Sequence, residues 1–210
     1  MKITYKNLIT FITLIIFSII LVSCGKKYTP EQKAYINKIE KERREKDNDM
    51  QNSPDSPFNH DTNAHFEPLK YYPVDPAFIF HSKLYEYAQK DTIQIFGTKG
   101  EERKAVKFGY VKINYEGKAY RLNVYEGSTK NGTKYYSIWF TDLTTGDETY
   151  GVGRYLDFEL NNNKDYVYTI DFNLAYNPYC AYSAKYSCAI PTKEDHIDLS
   201  VTAGEKKFHQ

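Results

Sequence analysis

The chain has 210 residues, 41% hydrophobic and 26% charged, with 28 basic against 27 acidic side chains. Those proportions fit one globular domain with a tail and exclude a chain disordered throughout. A formal charge of +1 removes the electrostatic case for a nucleic-acid partner. Tyrosine is unusually abundant, at 21 residues beside 12 Phe and 1 Trp. Its ring covers a pleated sheet while its hydroxyl reaches water, so the composition leans toward strands.

The first segment reads as an address. Lys2 and Lys6 precede an uncharged run from Leu8 to Val22. As a helix that run would reach only ~22 Å, short of the ~30 Å hydrocarbon core, which fits a secretory signal better than a span. Leu21-Val22-Ser23-Cys24-Gly25 then resembles a bacterial lipobox. The resemblance implies cleavage after Ser23 and acylation of Cys24 with palmitate-type chains, each buried methylene contributing roughly 0.8 kcal/mol to anchoring. The expected partner is therefore a membrane, reached through lipid, in the bacterial cell envelope. Gly25 stands where an aspartate retains enterobacterial lipoproteins in the inner membrane, which points to the outer membrane and its periplasmic face. Loss of Lys2 and Lys6 with the signal leaves 26 basic against 27 acidic residues.

Thr29-Pro30-Glu31-Gln32 has the form of a helix start, with Thr as N-cap, Pro at the first position and Gln closing a capping box. The helix should be short and charged, with a narrow apolar stripe of Tyr35, Ile36 and Ile39, to about Asp49. Asn48 to Ala64 is rich in Asn, Asp, Ser and Pro and reads as a linker, with His60 and His65 solvated. The organisation expected is a signal peptide over 1–23, an anchor, helix and linker over 24–65, and a β domain over 66–210.

From Phe66 onward, alternating β-branched and aromatic residues recur in short runs between turn residues. Strands are expected over Ala77–Tyr87, Thr92–Phe96, Ala105–Tyr115, Lys118–Tyr125, Tyr135–Thr141, Gly151–Phe158, Tyr166–Asp171 and His196–Ala203. Glu116-Gly117 suits a tight hairpin. The connections are too short for crossover helices, so the fold class is mainly β, a single antiparallel barrel or sandwich with a short charged N-terminal helix.

Chemistry-bearing side chains concentrate between Thr141 and Leu199. Arg154 follows Gly151-x-Gly153, where the backbone can approach another group closely. It could clamp an anion, or pair internally with Asp157 or Asp171. Asp171 and Asn173, two apart, would share one strand face, and Pro178 turns the chain at Asn177. Such a group suits a polar pocket or a hydrogen-bonded corner equally well. Cys180 and Cys188, outside the cytosol, most simply form a disulfide; zinc binding or a thiol nucleophile with His196 is the sharper alternative. No metal site and no cofactor is expected.

The segments Thr149-Tyr150-Gly151-Val152-Gly153-Arg154-Tyr155-Leu156-Asp157 and Asp171-Phe172-Asn173-Leu174-Ala175-Tyr176-Asn177-Pro178-Tyr179-Cys180-Ala181-Tyr182 resemble a bacterial family known as domain of unknown function sixteen-eighty-four. The likeness extends to Ser56-Pro57-Phe58, to the run from Phe66 to Asp75, and to Ala203-Gly204-Glu205-Lys206. The family tends to read Pro-Pro-x-Glu-Asn after its second cysteine; here Pro191-Thr192-Lys193-Glu194-Asp195 keeps the Glu and replaces the Asn with Asp195. The resemblance implies a fold unit and no activity.

The candidate polar site is thus Arg154, Asp157, Asp171, Asn173, Asn177 and Glu194, with Cys24 for lipidation. The function expected is a lipid-anchored envelope module that binds a small polar ligand or an envelope protein, or serves a structural role. The alternative is an envelope hydrolase using Asp157, Asp171 or Glu194 as acid or base, with Arg154 stabilising developing negative charge.

Overall fold

A computed structural model describes residues 26–129 and 131–209, so the expected signal, the lipobox and Cys24 lie outside the described residues. Residues up to Tyr35 and those from Ile36 onward form two units, each taken by itself. In the first, Thr29 Oγ1 accepts from the Gln32 backbone N–H at 3.2 Å and Gln32 Oε1 from that of Thr29 at 3.0 Å, which closes the capping box.

Helix α1, Pro30–Asn52, begins at that box and runs three residues past the expected end. Its exposed face carries the i,i+4 pairs Lys38–Glu42 and Lys41–Glu45, each worth a few tenths of a kcal/mol. Within the second unit Ile39 and Met50 are buried. The stretch read as a linker is folded. Ser56 caps the one-turn helix α2, Pro57–His60, by accepting from the Phe58 N–H, and Phe58 packs against Phe66, Tyr182 and Phe208. Polar composition concealed one aromatic that finds a small core of its own.

Two antiparallel sheets make a sandwich, and among the described residues no barrel closes. The smaller sheet pairs β1, Ile79–Lys83, with β8, Val167–Asp171. The larger runs in the order β2, β4, β5, β6, β7: Tyr85–Glu86, Glu102–Tyr115, Lys118–Ser128, Lys134–Phe140 and Arg154–Asp157. β3, Thr92–Phe96, also pairs with β4. Glu116 and Gly117 both take positive φ, 49° and 79°, the geometry of a two-residue turn whose twist matches the β4–β5 hairpin.

Alternation places Val111, Ile113, Leu122, Val124, Ile138 and Phe140 in one buried layer of the large sheet. They pack with Phe80 and Ile170 of the small sheet in the main core. The opposite face is also covered: Ile95, Ala105, Tyr125, Trp139 and Ala189 form a second cluster, with Tyr125 and Trp139 stacked at 4.5 Å.

Two expected strands are corrected. Ala77–Tyr87 is not continuous: Asp75 caps a 3-10 turn at Pro76–Phe78, and after β1 the chain crosses to the large sheet as β2. His196–Ala203 is not a strand. Ile197, Leu199, Val201 and Ala203 are buried in strict alternation, which is the period-two signal of a strand, but the run makes only one parallel bridge, Thr141 to His196. Carbonyls of this run are taken by a side chain instead of a ladder.

Candidate functional site

That side chain is Arg154, at the start of the short strand β7 and only 1% exposed. Gly153 before it has φ 111°, and a Cβ there would lie 2.6 Å from the Phe140 carbonyl oxygen, so only glycine fits the approach. Nη2 donates to Asp142 Oδ2 at 2.6 Å and to the Val201 carbonyl at 2.9 Å. Nη1 donates to the carbonyls of Ala203 and Glu205. Burial pulls the guanidinium pKa down, and the Asp142 carboxylate opposes that pull. Arg154 therefore does pair internally, but with Asp142, not with the expected Asp157 or Asp171. It binds the closing segment to β7 and has no face left for a substrate.

Asp171 ends β8 and caps the following 3-10 turn, its Oδ1 accepting from the Asn173 N–H at 2.9 Å. Asn173 lies in that turn, so the two do not share a strand face. Its amide brackets Asp75, accepting from the Asp75 N–H at 2.8 Å and donating to the Asp75 carbonyl at 2.9 Å. This is the hydrogen-bonded corner, realised. The Asn177 backbone N–H donates to Glu205 Oε2 at 2.8 Å; Glu205 also accepts from Tyr182 and bridges Lys46 at 2.5 Å. Glu194, 69% exposed at its side chain, pairs with Lys107 on the surface, and Lys107 lowers its carboxyl pKa.

The six candidates do not converge. Asp157, Asp171 and Asn177 line one cavity; Arg154, Asn173 and Glu194 do not. Asp195 was passed over beside Glu194, yet it is 2% exposed and accepts from Asn123, Tyr125, the Thr192 hydroxyl and the Thr192 N–H at 2.7–2.9 Å.

The expected disulfide is absent: Cys180 and Cys188 are free thiols, with the Cys180 N–H donating to Cys188 Sγ at 3.2 Å. A hydrogen bond between the two thiols is the first cause that lowers the pKa of Cys180 and raises that of Cys188, while Tyr150 donates to Cys180 Sγ at 3.7 Å. His196 bonds Thr141 instead. Among the described residues no three His, Cys, Asp or Glu side chains group as a metal set.

The cavity has a volume of about 840 Å³ and lies along β7, the last strand of the large sheet. Tyrosines wall it. Tyr155 on β7 exchanges two backbone hydrogen bonds with Tyr176, at 2.9 and 3.0 Å, which docks the loop after β8 against the sheet edge. Their rings meet edge to face at 6.0 Å, Trp139 stands 5.9 Å from Tyr155, and Tyr179 meets Tyr186 at 5.2 Å. Tyr155 donates to the Ala189 carbonyl, and Tyr176 to Asp157 Oδ1 at 2.7 Å. Burial is the main cause that raises both phenols.

Two polar atoms in the cavity's lining residues lack a hydrogen-bond partner among the described residues. Ser137 Oγ belongs to a residue 4% exposed, and Asn177 Oδ1 to one 2% exposed. Ser137 faces Asp157 directly across the β6–β7 ladder. A buried polar atom without a partner costs about 1–3 kcal/mol; both atoms are themselves closed off from solvent, and the groups open to a ligand are the aromatic rings and the exposed Asp157. Sequence reasoning missed Tyr155, Tyr176, Trp139 and Ser137 as site residues; tyrosine abundance was the available signal, and it was spent on fold class.

Fold and cavity together define an antiparallel sandwich with closed polar braces and an open aromatic cleft along one sheet edge. The chain belongs to the family described as "Protein of unknown function (DUF1684)", which matches residues 64–206. The solution NMR structure of an uncharacterized protein from Haloarcula marismortui is similar in fold, with a TM-score of 0.60 and 24% identity over 84% of this chain and 96% of that one. No curated protein matches the chain.

Proposed function

We propose that this chain is an extracytoplasmic binding module, tethered to the bacterial envelope through acylated Cys24, that holds a small ligand in the tyrosine-walled cleft. The observation that carries the reading is the cavity of about 840 Å³ walled by Trp139, Tyr155, Tyr176 and Tyr179, with the exposed carboxylate of Asp157 in its lining. That volume and that mix of rings with few polar groups suit a small molecule. The address rests on the Lys2/Lys6 start, the apolar run and Leu21-Val22-Ser23-Cys24. Hydrolysis draws no support, because Arg154 is enclosed by Asp142 and three carbonyls.

In that compartment Cys180 and Cys188 lose two protons and two electrons to an envelope thiol–disulfide oxidant and form a disulfide. Closing a nine-residue loop contributes roughly 2.5 kcal/mol through the unfolded state.

Trp139 is the chain's one tryptophan and lines the cleft, so its emission reports occupancy. Titrating the full chain with saccharides, short peptides, amines and nucleosides is expected to give at least one saturable change. A folded protein whose emission none of them moves would overturn ligand binding. Mass spectrometry of the chain from envelope fractions is expected to find an acylated Cys24 and a cross-linked Cys180–Cys188 peptide; an unmodified Cys24 removes the tether.

A further inference from the structure

The charges around the cleft narrow its ligand. Two cations line it, and each is met by its own carboxylate: Lys46 by Glu205 at 2.5 Å and Arg103 by Glu101 at 2.6 Å. Asp157 has no such counterpart. Among the described residues it makes no ion pair; its Oδ1 accepts from Tyr176. The uncompensated charge on the wall is therefore negative.

The spare hydrogen-bonding capacity has the same bias. The Asp157 carboxylate can only accept, and it keeps lone pairs beyond the one that Tyr176 uses. A sugar or an amide brings acceptors as well as donors, and its acceptors gain nothing from that carboxylate. A protonated amine brings up to three N–H donors and no acceptor. The rings complete the match, since a cation is attracted to the negative face of an aromatic ring within about 6 Å. Lys46 already shows the contact, its ammonium sitting 5.0 Å from the centre of the Tyr176 ring.

We propose that the cleft recognises a protonated alkylamine, its ammonium held between Asp157 and the tyrosine faces and its carbon chain laid along Tyr155 and Trp139. The assignment rests on the binding-module reading above and names the ligand class for the same cleft.

The experiment uses two probes of equal length and different charge, 1,4-diaminobutane and 1,4-butanediol, titrated into the full chain at physiological salt with Trp139 emission as readout. The diamine is expected to bind at least tenfold more tightly than the diol. Asp157→Asn is expected to weaken the diamine about tenfold and leave the diol unchanged, with the thermal midpoint preserved because Asp157 is exposed. Tyr176→Phe removes the phenol that holds Asp157 and is expected to weaken the diamine less. Equal binding of diol and diamine, or tighter binding of a saccharide, with Asp157→Asn without effect, overturns the amine assignment and leaves the cleft as a binding site. No response to amine, diol or saccharide from a protein with a normal melt overturns both.

Discussion

The brace at Arg154 and the cleft beside it lie at opposite ends of strand β7, only three residues apart in sequence, and use the same residue types to opposite ends. At the brace, a guanidinium, a carboxylate and three carbonyls are buried and mutually satisfied. At Asp157, an exposed carboxylate meets, among the described residues, a single phenol. A closed set of polar groups holds a chain in place and has nothing left to offer. An open set keeps hydrogen-bonding capacity that water fills and a ligand can take over. Charge and residue type do not separate architecture from function here; the count of remaining partners does.

The largest expected effect breaks the closed region. Asp142→Asn leaves Arg154 buried without its counter-charge and should cost about 3–5 kcal/mol. Against a typical stability of about 5–15 kcal/mol, that is a large share, visible as a lower midpoint in urea unfolding. A midpoint within about 0.5 kcal/mol of the parent, the range of a neutral surface change, would show that the brace holds nothing. The pair Asp142→Leu with Arg154→Met should recover part of the loss, because a buried ion pair is often replaceable by apolar groups of similar volume.

A smaller effect separates two neighbours. Asp195→Ala removes one acceptor from Asn123, Tyr125 and Thr192 and leaves buried donors behind, at about 3 kcal/mol. Glu194→Ala breaks a surface pair and should change stability by less than about 1 kcal/mol. Equal unfolding midpoints for the two variants would contradict the burial difference between them.

That pair also shows what the sequence could tell. Sheet content, the Glu116-Gly117 turn and the capping box at Thr29 were legible because each depends on local spacing. β3 was legible to the residue for the same reason. His196–Ala203 was misread because alternation reports which side chains face a core and not what the backbone bonds to; its Val201 and Ala203 carbonyls meet a guanidinium forty-odd residues away in the chain. Arg154 was rightly suspected of pairing, and its partner was missed because Asp142 lies across a turn that no periodicity records. Asp195 and Glu194 are one residue apart and chemically alike, and only the fold decides which one points inward. The cleft was least legible, since it forms where a loop carrying Tyr176 docks on β7, a contact with no local signature.

The smallest effect tests a carboxylate between the two extremes. Asp61 Oδ2 accepts from the Ser183 hydroxyl at 2.6 Å and Oδ1 from the Asn63 N–H at 3.0 Å, which links the stretch before the β domain to the loop that carries Tyr182. The Ser183 hydroxyl and then the Asn63 N–H hold the Asp61 carboxyl below its ordinary value. A carboxyl lowered by folding adds stability above its unfolded pKa of about 3.9, and that addition is lost as pH falls through the lower folded value. Ser183→Ala should therefore lower the thermal midpoint slightly at pH 7, and the gap from the parent should close as pH drops below about 4. A gap that widens in acid would mean that the hydroxyl serves the protonated carboxyl, and Asp61 would then belong with the closed braces, held whatever its charge.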